Sequence, residues 1–306
     1  MATHVVTALQ LNLRSTPDPT KNNKITVLAQ GTKVTRIADA SLAGWWEISV
    51  TLAGLPLRGY VNSGYLGPLG TSFPSGTVTA GKLPAADLGS KSSATRSYAG
   101  AWAFSIGESG KPGKASAHPS GPVKGILKII DWLDVADGGH KRWKPNVYTY
   151  CNIYVYDVCS IAGCYIPRVW WTSKAIDDLK AGKTVEAKYA DTVNEMAANY
   201  LFNWLVEHGE AFGWSRVFDP DALQSAANGG SIAIICAQRT ELNRPGHIQI
   251  VAPEHGDHAA KRVGGKVTQP LQSQAGASNF SYGFLGSNWW QGAAFRDFGF
   301  WINTPA

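Results

Sequence analysis

The sequence predicts two folded regions of different class: a small all-β barrel over residues 1–70 and an α+β domain over 123–306, separated by a linker-like segment over 71–122. Three observations carry that reading. Short alternating apolar runs recur with turn residues between them from residue 5 to residue 69, which is the pattern of several short strands closing into a barrel. Gly, Ser, Pro, Ala and Lys then dominate residues 70–120, a composition that favours connection over core. From Val123 onward apolar residues return at helical spacing and later as strand-like runs, and helices followed by strands make an α+β layout.

In the first region, strands are expected over 5–7, 11–15, 25–28, 33–37, 45–50, 58–61 and 65–66. Pro17-Asp18-Pro19, Gln30-Gly31 and Ala43-Gly44 supply the turns, because proline presets φ and glycine frees it. The order and spacing of four pieces then closely resemble a bacterial SH3-type domain. They are Leu11-Asn12-Leu13-Arg14-Ser15-x-Pro17, Gln30-Gly31-Thr32-Lys33-Val34, Gly44-Trp45-Trp46-Glu47-Ile48 and Gly59-Tyr60-Val61-Asn62-x-x-Tyr65-Leu66. The resemblance implies a module that binds peptide or cell-wall ligands, usually attached to a wall hydrolase. Trp45, Trp46, Tyr60 and Tyr65 are then the groove candidates, since flat rings bury much area at low entropy cost. Alternation also allows Trp46 and Tyr60 to belong to the barrel core.

Residues 71–81 and 107–121 read as linkers, and the aromatic run Tyr98-Ala99-Gly100-Ala101-Trp102-Ala103-Phe104 between them is a candidate docking strand. Helices are expected over 125–133, from Cys151 through Val155, Val158 and Ile161, over 173–180 with Ser173 as N-cap, over 192–207, and over 220–227. Their apolar residues fall three and four apart, as one buried helix face requires. In the helix over 192–207 the inward face comprises Met196, Tyr200, Leu201, Trp204 and Leu205. Strands are expected over 231–237, 247–252, 267–274 and 298–302.

Composition excludes several classes. Of 306 residues, 44% are apolar and 16% charged, too apolar for a disordered chain. The 28 basic and 22 acidic residues leave a net charge of +6 with no Lys/Arg block, so no nucleic-acid partner is expected, whereas an anionic bacterial wall suits the charge. No apolar run approaches the roughly 18 residues of a membrane helix, so no membrane span is expected. The opening residues show no basic-then-apolar leader, and the expected delivery to the wall is phage-type or by other machinery. Four cysteines in this length do not make a disulfide scaffold, and no C-x2-C pair supplies zinc ligands; neither metal nor cofactor is expected. The 33 Gly, 12 Trp and 11 Tyr favour turns and carbohydrate- or peptide-binding surfaces.

Chemistry concentrates in two segments. Thr149-Tyr150-Cys151-Asn152 places a cysteine at a helix start, where the helix dipole lowers its pKa and populates the nucleophilic thiolate. Such a cysteine needs a histidine base and a polar group to orient the ring. Pro245-Gly246-His247 delivers a histidine at the first position of an apolar strand, and alternation puts His247 and Gln249 on one face with Ile248 and Ile250 on the other. Cys159, Cys164 and Cys236 read as packing residues. The loop Glu254-His255-Gly256-Asp257-His258 has metal-like residue types but reads more simply as solvated. Trp170-Trp171 and Trp289-Trp290 are candidates for cleft lining or framework, and Asp157 for a structural hydrogen bond.

Residues 123–303 resemble the papain-like cell-wall cysteine hydrolases, the CHAP and NlpC-type amidases and endopeptidases. The likeness rests on Thr-Tyr-Cys-Asn-x-Tyr-Val-x-Asp at 149–157, Ala-Ala-Asn-Gly-Gly at 226–230 and Pro-Gly-His-Ile-x-Ile-Val at 245–251. It implies a papain-like domain with helices packed on an antiparallel sheet, Cys151 as nucleophile, His247 as base, and amide cleavage in peptidoglycan or a wall peptide through an acyl-enzyme. For the third member Gln274 is favoured, then Gln272, with Asn279 behind. The oxyanion donors would be the Cys151 N–H with Tyr150 or Asn152; the position six before the cysteine, glutamine in papain-like proteases, is Pro145 here. Two other readings stay open: an inactive papain-like domain serving as a binding protein, and a cysteine protease or acyltransferase acting on protein.

Overall fold

The computed structural model describes residues 2–8, 10–18, 23–29, 31–52, 55–69, 83–144, 146, 149–286 and 288–305. The chain divides into two compact units, Met1–Ala80 and Gly81–Ala306.

The first unit is all-β. Its strands are β1 (His4–Val6), β2 (Gln10–Arg14), β3 (Lys24–Ala29), β4 (Lys33–Asp39), β5 (Trp45–Leu52), β6 (Leu55–Asn62) and β7 (Leu66–Pro68). They form one antiparallel sheet in the order β3-β2-β6-β5-β4-β1-β7. Val6, Leu11, Leu13, Ile25, Leu28, Val34, Ile48, Val50 and Val61 make one buried cluster. A single sheet buries side chains from strands across its width only by curling over its own apolar face. Where a small barrel was expected, the sheet among the described residues is a curled one that ends on β3 and β7.

The pairing of β5 with β6 sorts the four expected groove aromatics. Trp46 lies opposite Val61, on the face of Ile48 and Val50, and packs half-buried against the core. Trp45 and Tyr60 belong to the opposite face, since Tyr60 lies across from Glu47. Trp45 is itself 8% exposed, whereas Tyr65, in the turn before β7, is 50% exposed. The expected groove set therefore does not share one surface: Trp46 serves the core and Trp45 is covered, because strict alternation separates neighbours on a strand.

The second unit surrounds a six-stranded antiparallel sheet in the order β12-β19-β13-β14-β17-β18. In chain order its elements are β8 (Ser90–Lys91), β9 (Ser105–Ile106), α1 (Pro122–Leu133), α2 (Cys151–Ala162), β10 (Val169–Trp171), α3 (Ser173–Lys180), β11 (Val193–Glu195), α4 (Ala198–Glu207), β12 (Ser215–Val217) and α5 (Pro220–Asn228). There follow β13 (Ile232–Arg239), β14 (His247–Val251), β15 (Lys261–Val263), β16 (Lys266–Gln269), β17 (Gln272–Gln274), β18 (Phe280–Gly283) and β19 (Phe295–Asn303). Strand β13 is covered on both faces. Ile232, Ile234 and Cys236 join a core with α2 and α4, while Ala233, Ile235 and Ala237 join a core with α5 and Trp290. Burial on both faces explains why this strand reads as an unbroken apolar run. Among the described residues no helix is long and apolar enough to cross a membrane.

Several expectations are corrected. Residues 83–122 are not a linker: Ala86, Ala103, Ile106 and Ala115 sit in the α2 core. Hydrogen bonds pin the stretch there, with Trp171 Nε1 donating to the Pro84 carbonyl at 2.8 Å and Trp102 Nε1 to the Arg142 carbonyl at 3.0 Å. Small residues are there for contact; a Cβ on Gly125 of α1 would stand 2.4 Å from the Ala115 carbonyl oxygen. The expected docking strand at 98–104 is a series of turns that leads into β9; residues 71–81 lie outside the described residues. The expected helix over 192–207 splits into β11 and α4, because Val193–Glu195 pairs with β10 and Met196 N–H donates to the Arg168 carbonyl. Tyr200 consequently faces out, 62% exposed. The expected strand over 267–274 breaks into β16 and β17 at Pro270, which has no N–H to give a ladder. Thr172, rather than Ser173, caps α3.

Candidate active site

The segment leading to Cys151 is fixed by a buried ion pair. Arg142 donates through Nε and Nη2 to the two Asp157 oxygens at 2.7 and 3.0 Å, and Trp143 Nε1 donates to Asp157 Oδ2 at 2.8 Å. Asp157 belongs to the second turn of α2, so the helix holds the chain that precedes it. Tyr150 N–H then donates to the Trp143 carbonyl at 2.9 Å. That loop-back ends the irregular segment and starts α2 at Cys151, whose N–H has no partner within the helix. The Tyr150 ring packs on Trp102 at 4.7 Å, and Tyr154, three residues beyond Cys151, hydrogen-bonds Ser273 of β17.

His247 opens β14 and is mounted by contacts with α4. Asn199, near the start of α4, donates to the Leu242 and Arg244 carbonyls and accepts from Arg239 N–H, clamping the β13–β14 connection. Gly246 lies so close that a Cβ there would stand 2.4 Å from Asn199 Oδ1 and 2.7 Å from the Ala237 carbonyl oxygen. The Pro-Gly step before the histidine is thus required by contact, since Gly246 does not have a positive φ.

A chain of side-chain amides sets the imidazole. Trp289 Nε1 donates to Gln249 Oε1 at 2.8 Å, so the other end of that amide, Nε2, donates to Gln274 Oε1. Gln274 Nε2 donates to the Ser278 carbonyl at 2.7 Å. These partners orient both amides, and Gln274 presents an oxygen to His247 Nε2 at 2.8 Å. The Gln249 amide nitrogen lies 3.1 Å from the same imidazole nitrogen; in the tautomer where Nε2 donates to the Gln274 oxygen, Nδ1 keeps its lone pair for use as a base. Trp289 also packs edge-on against the ring, centroid to centroid 4.7 Å. Gln272 and Asn279 point elsewhere, to the Pro270 and Val135 carbonyls.

The Cys151 thiol meets β14 at Ile248, one residue beyond His247. The Ile248 N–H faces the Cys151 thiol, together with the N–H groups of Cys151 and Asn152. The β14–β17 ladder is formed at Ile250 and Val251, which leaves the beginning of β14 open to α2. Among the described residues no hydrogen bond joins thiol and imidazole directly. The expected lowering of the thiol pKa is corrected. Burial, with Cys151 7% exposed, outweighs the three N–H groups and pushes the thiol up to about 11. Loss of hydration likewise pulls half-buried His247 down to about 4, against the opposing Gln274 hydrogen bond and with a smaller push from Arg239. At neutral pH the resting pair is a thiol and a neutral imidazole.

The other expected site residues are also placed. Asn152 Nδ2 donates to the Met196 carbonyl at 2.8 Å and ties α2 to the segment before α4, which commits that amide to the fold. Pro145 lies outside the described residues. Trp170 and Trp171 are buried framework, as is Trp290, while Trp289 reaches the imidazole. Cys159, Cys164 and Cys236 are buried and free. Sequence reasoning missed the Asn199 clamp and the Gln249 bridge; the alternation of Gln249 with His247 was the available signal.

No protein-family profile matches the chain, and no curated protein does. Among solved structures the chain is similar to the fifth SH3 domain of the human KIAA0418 protein, at 20% identity over 24% of this chain and 87% of that chain, with a TM-score of 0.16. It is also similar to NlpC2 from Trichomonas vaginalis, at 9% identity over 100% of this chain and 73% of that chain, with a TM-score of 0.26. Both likenesses are too slight to assign a fold family or an activity.

Proposed function

We propose that the chain is a cysteine peptidase or amidase that cleaves amide bonds in peptidoglycan, held to the bacterial wall by its N-terminal unit. The observation that carries the reading is the His247 Nε2–Gln274 Oε1 hydrogen bond beside a strand whose Ile248 N–H faces Cys151. In this reading His247 Nδ1 takes the thiol proton as sulfur attacks the carbonyl carbon. Concerted transfer suits a pair that rests neutral, because no buried thiolate has to form first. The N–H groups at the start of α2 stabilise the oxyanion. The imidazolium returns the proton to the departing amine, leaving a thioester on Cys151. Water, deprotonated by His247, hydrolyses that thioester and restores the thiol. Gln274 orients the ring, Tyr150 and Asn152 border the substrate, and Tyr60 and Tyr65, with Trp45 on the Tyr60 face, form the wall-binding surface of the first unit. Purified peptidoglycan incubated with the protein should release fragments whose masses identify the bond cut. Cys151→Ser should release none, and undiminished release by that variant would end the proposal.

A second reading is favoured by the covered thiol and by its lack of a hydrogen bond to the imidazole: a wall- or peptide-binding protein without catalysis. It predicts sedimentation with insoluble peptidoglycan but no fragment release by the unaltered protein.

A further inference from the structure

A second chemistry-bearing cluster lies between β14 and β15, apart from the Cys151–His247 geometry. His255 and His258 exchange both backbone hydrogen bonds, at 3.0 and 2.9 Å, as an isolated antiparallel bridge. Gly256, at φ +51°, makes the turn between them. A pair bonded in this way carries its two side chains on one face, with Cβ atoms about 4.5–5.5 Å apart. The ring centroids stand 5.0 Å apart, and both rings pack on Tyr282, at 4.4 and 5.0 Å. Tyr282 is fixed in turn, its hydroxyl donating to Asp131 Oδ1 at 2.7 Å.

The His255 ring is also oriented. Its Nδ1 lies 3.0 Å from the Pro253 carbonyl oxygen, which only accepts, so Nδ1 carries the proton and Nε2 presents its lone pair. An imidazole that donates one N–H to a carbonyl and offers its other nitrogen is the form in which histidine binds metals. The adjacent Glu254 is already engaged by Arg262 and Asn228. Two imidazoles on one tetrahedral ion, with metal–nitrogen bonds of about 2.0–2.1 Å, have ring centres on the order of 5 Å apart. The observed 5.0 Å matches that requirement.

The geometry points to a two-histidine site, His255 and His258, for a borderline divalent transition-metal ion such as Zn2+, Ni2+ or Cu2+, with water completing the coordination. Imidazole nitrogens select these ions over Mg2+ and Ca2+, which take oxygen ligands. The site needs no assumption about catalysis. Calorimetric titration of the full, untagged chain with ZnCl2 and CuCl2 tests it. The unaltered protein should bind one equivalent at this site. His258→Ala, at an exposed bridge position, should weaken binding at least tenfold while the melting temperature stays unchanged, and His255→Ala should weaken binding likewise. His140→Ala is the control, because Asp134, Asp137 and His140 form a separate candidate ligand group; it should leave the tight binding intact. No uptake by the unaltered protein, equal affinity in His258→Ala, or loss of binding in His140→Ala alone would overturn the assignment.

Discussion

His247 begins β14 and the Cys151 thiol meets that strand one residue later, at Ile248, yet their surroundings differ in kind. Around His247 every hydrogen-bonding group belongs to a side chain or to a carbonyl that orients one: Gln274, Gln249, Trp289 and Ser278. Around the Cys151 sulfur the polar groups are backbone N–H groups, set in an otherwise apolar core. The first arrangement orients the ring. The second offers positive ends to a developing charge while keeping the resting thiol neutral. Orientation has been built around the imidazole and electrostatics around the thiol, which in the proposed reaction is a division of labour suited to proton transfer during attack.

Changes on the imidazole side should break this contrast most visibly. His247→Ala should lower wall digestion by about 10²–10⁴-fold, the usual worth of a positioned base, as read by release of soluble fragments. Gln274→Ala should cost about 10²-fold, mostly in kcat, because the ring loses the oxygen that orients it. Gln249→Ala, whose amide also lies 3.1 Å from the ring nitrogen, should cost less than Gln274→Ala; the reverse order would show that Gln249 is the main orienting group.

Gly246→Ala probes the mount instead of the network. Its Cβ would press on the Ala237 carbonyl and Asn199, so a loss of about 1–3 kcal/mol in denaturant unfolding is expected, accompanied by lower activity. On the cysteine side the sharper measurement is the pH dependence of stability. His247, pulled from 6.5 down to about 4, contributes stability that is present above pH 6.5 and is lost as pH falls through 4. Cys151, pushed from 9.0 up to about 11, contributes stability that is present below pH 9 and is lost as pH rises through 11. A plateau between about 6.5 and 9 is expected, with the acid flank flattened in His247→Ala and the alkaline flank in Cys151→Ala.

The smallest effects on catalysis belong to the first unit. Trp46→Ala should destabilise that unit by about 2–3 kcal/mol, since the ring packs half-buried on its core. Tyr65→Ala should leave stability unchanged and weaken peptidoglycan sedimentation severalfold. A Tyr65→Ala variant that sediments normally would move wall attachment away from this surface.

Local patterns were legible in the sequence wherever they determined the outcome. The start of α2 at Cys151, the strand start at His247 and the shared face of His247 and Gln249 all follow from periodicity and turn residues. Non-local contacts were not legible. The small residues of 83–122 read as linker because only the folded contact, such as Gly125 against Ala115, shows why side chains are excluded there. Val193–Glu195 carries the periodicity of the helix that follows it, and its pairing with β10 prevails over that local signal. The direction of the Cys151 pKa shift was misread for the same reason: the helix dipole is visible in sequence, whereas the enclosing core of α4, β13 and β14 is not.

The central claim, that Cys151 forms the covalent intermediate, is tested most directly by trapping it. Purified peptidoglycan fragments mixed with the protein, quenched in acid within the first turnovers and mapped by mass spectrometry, should place an acyl adduct on the peptide containing Cys151. His247→Ala should accumulate no adduct on that timescale. Fragment release without any adduct on Cys151, together with full activity in Cys151→Ala, would contradict the account.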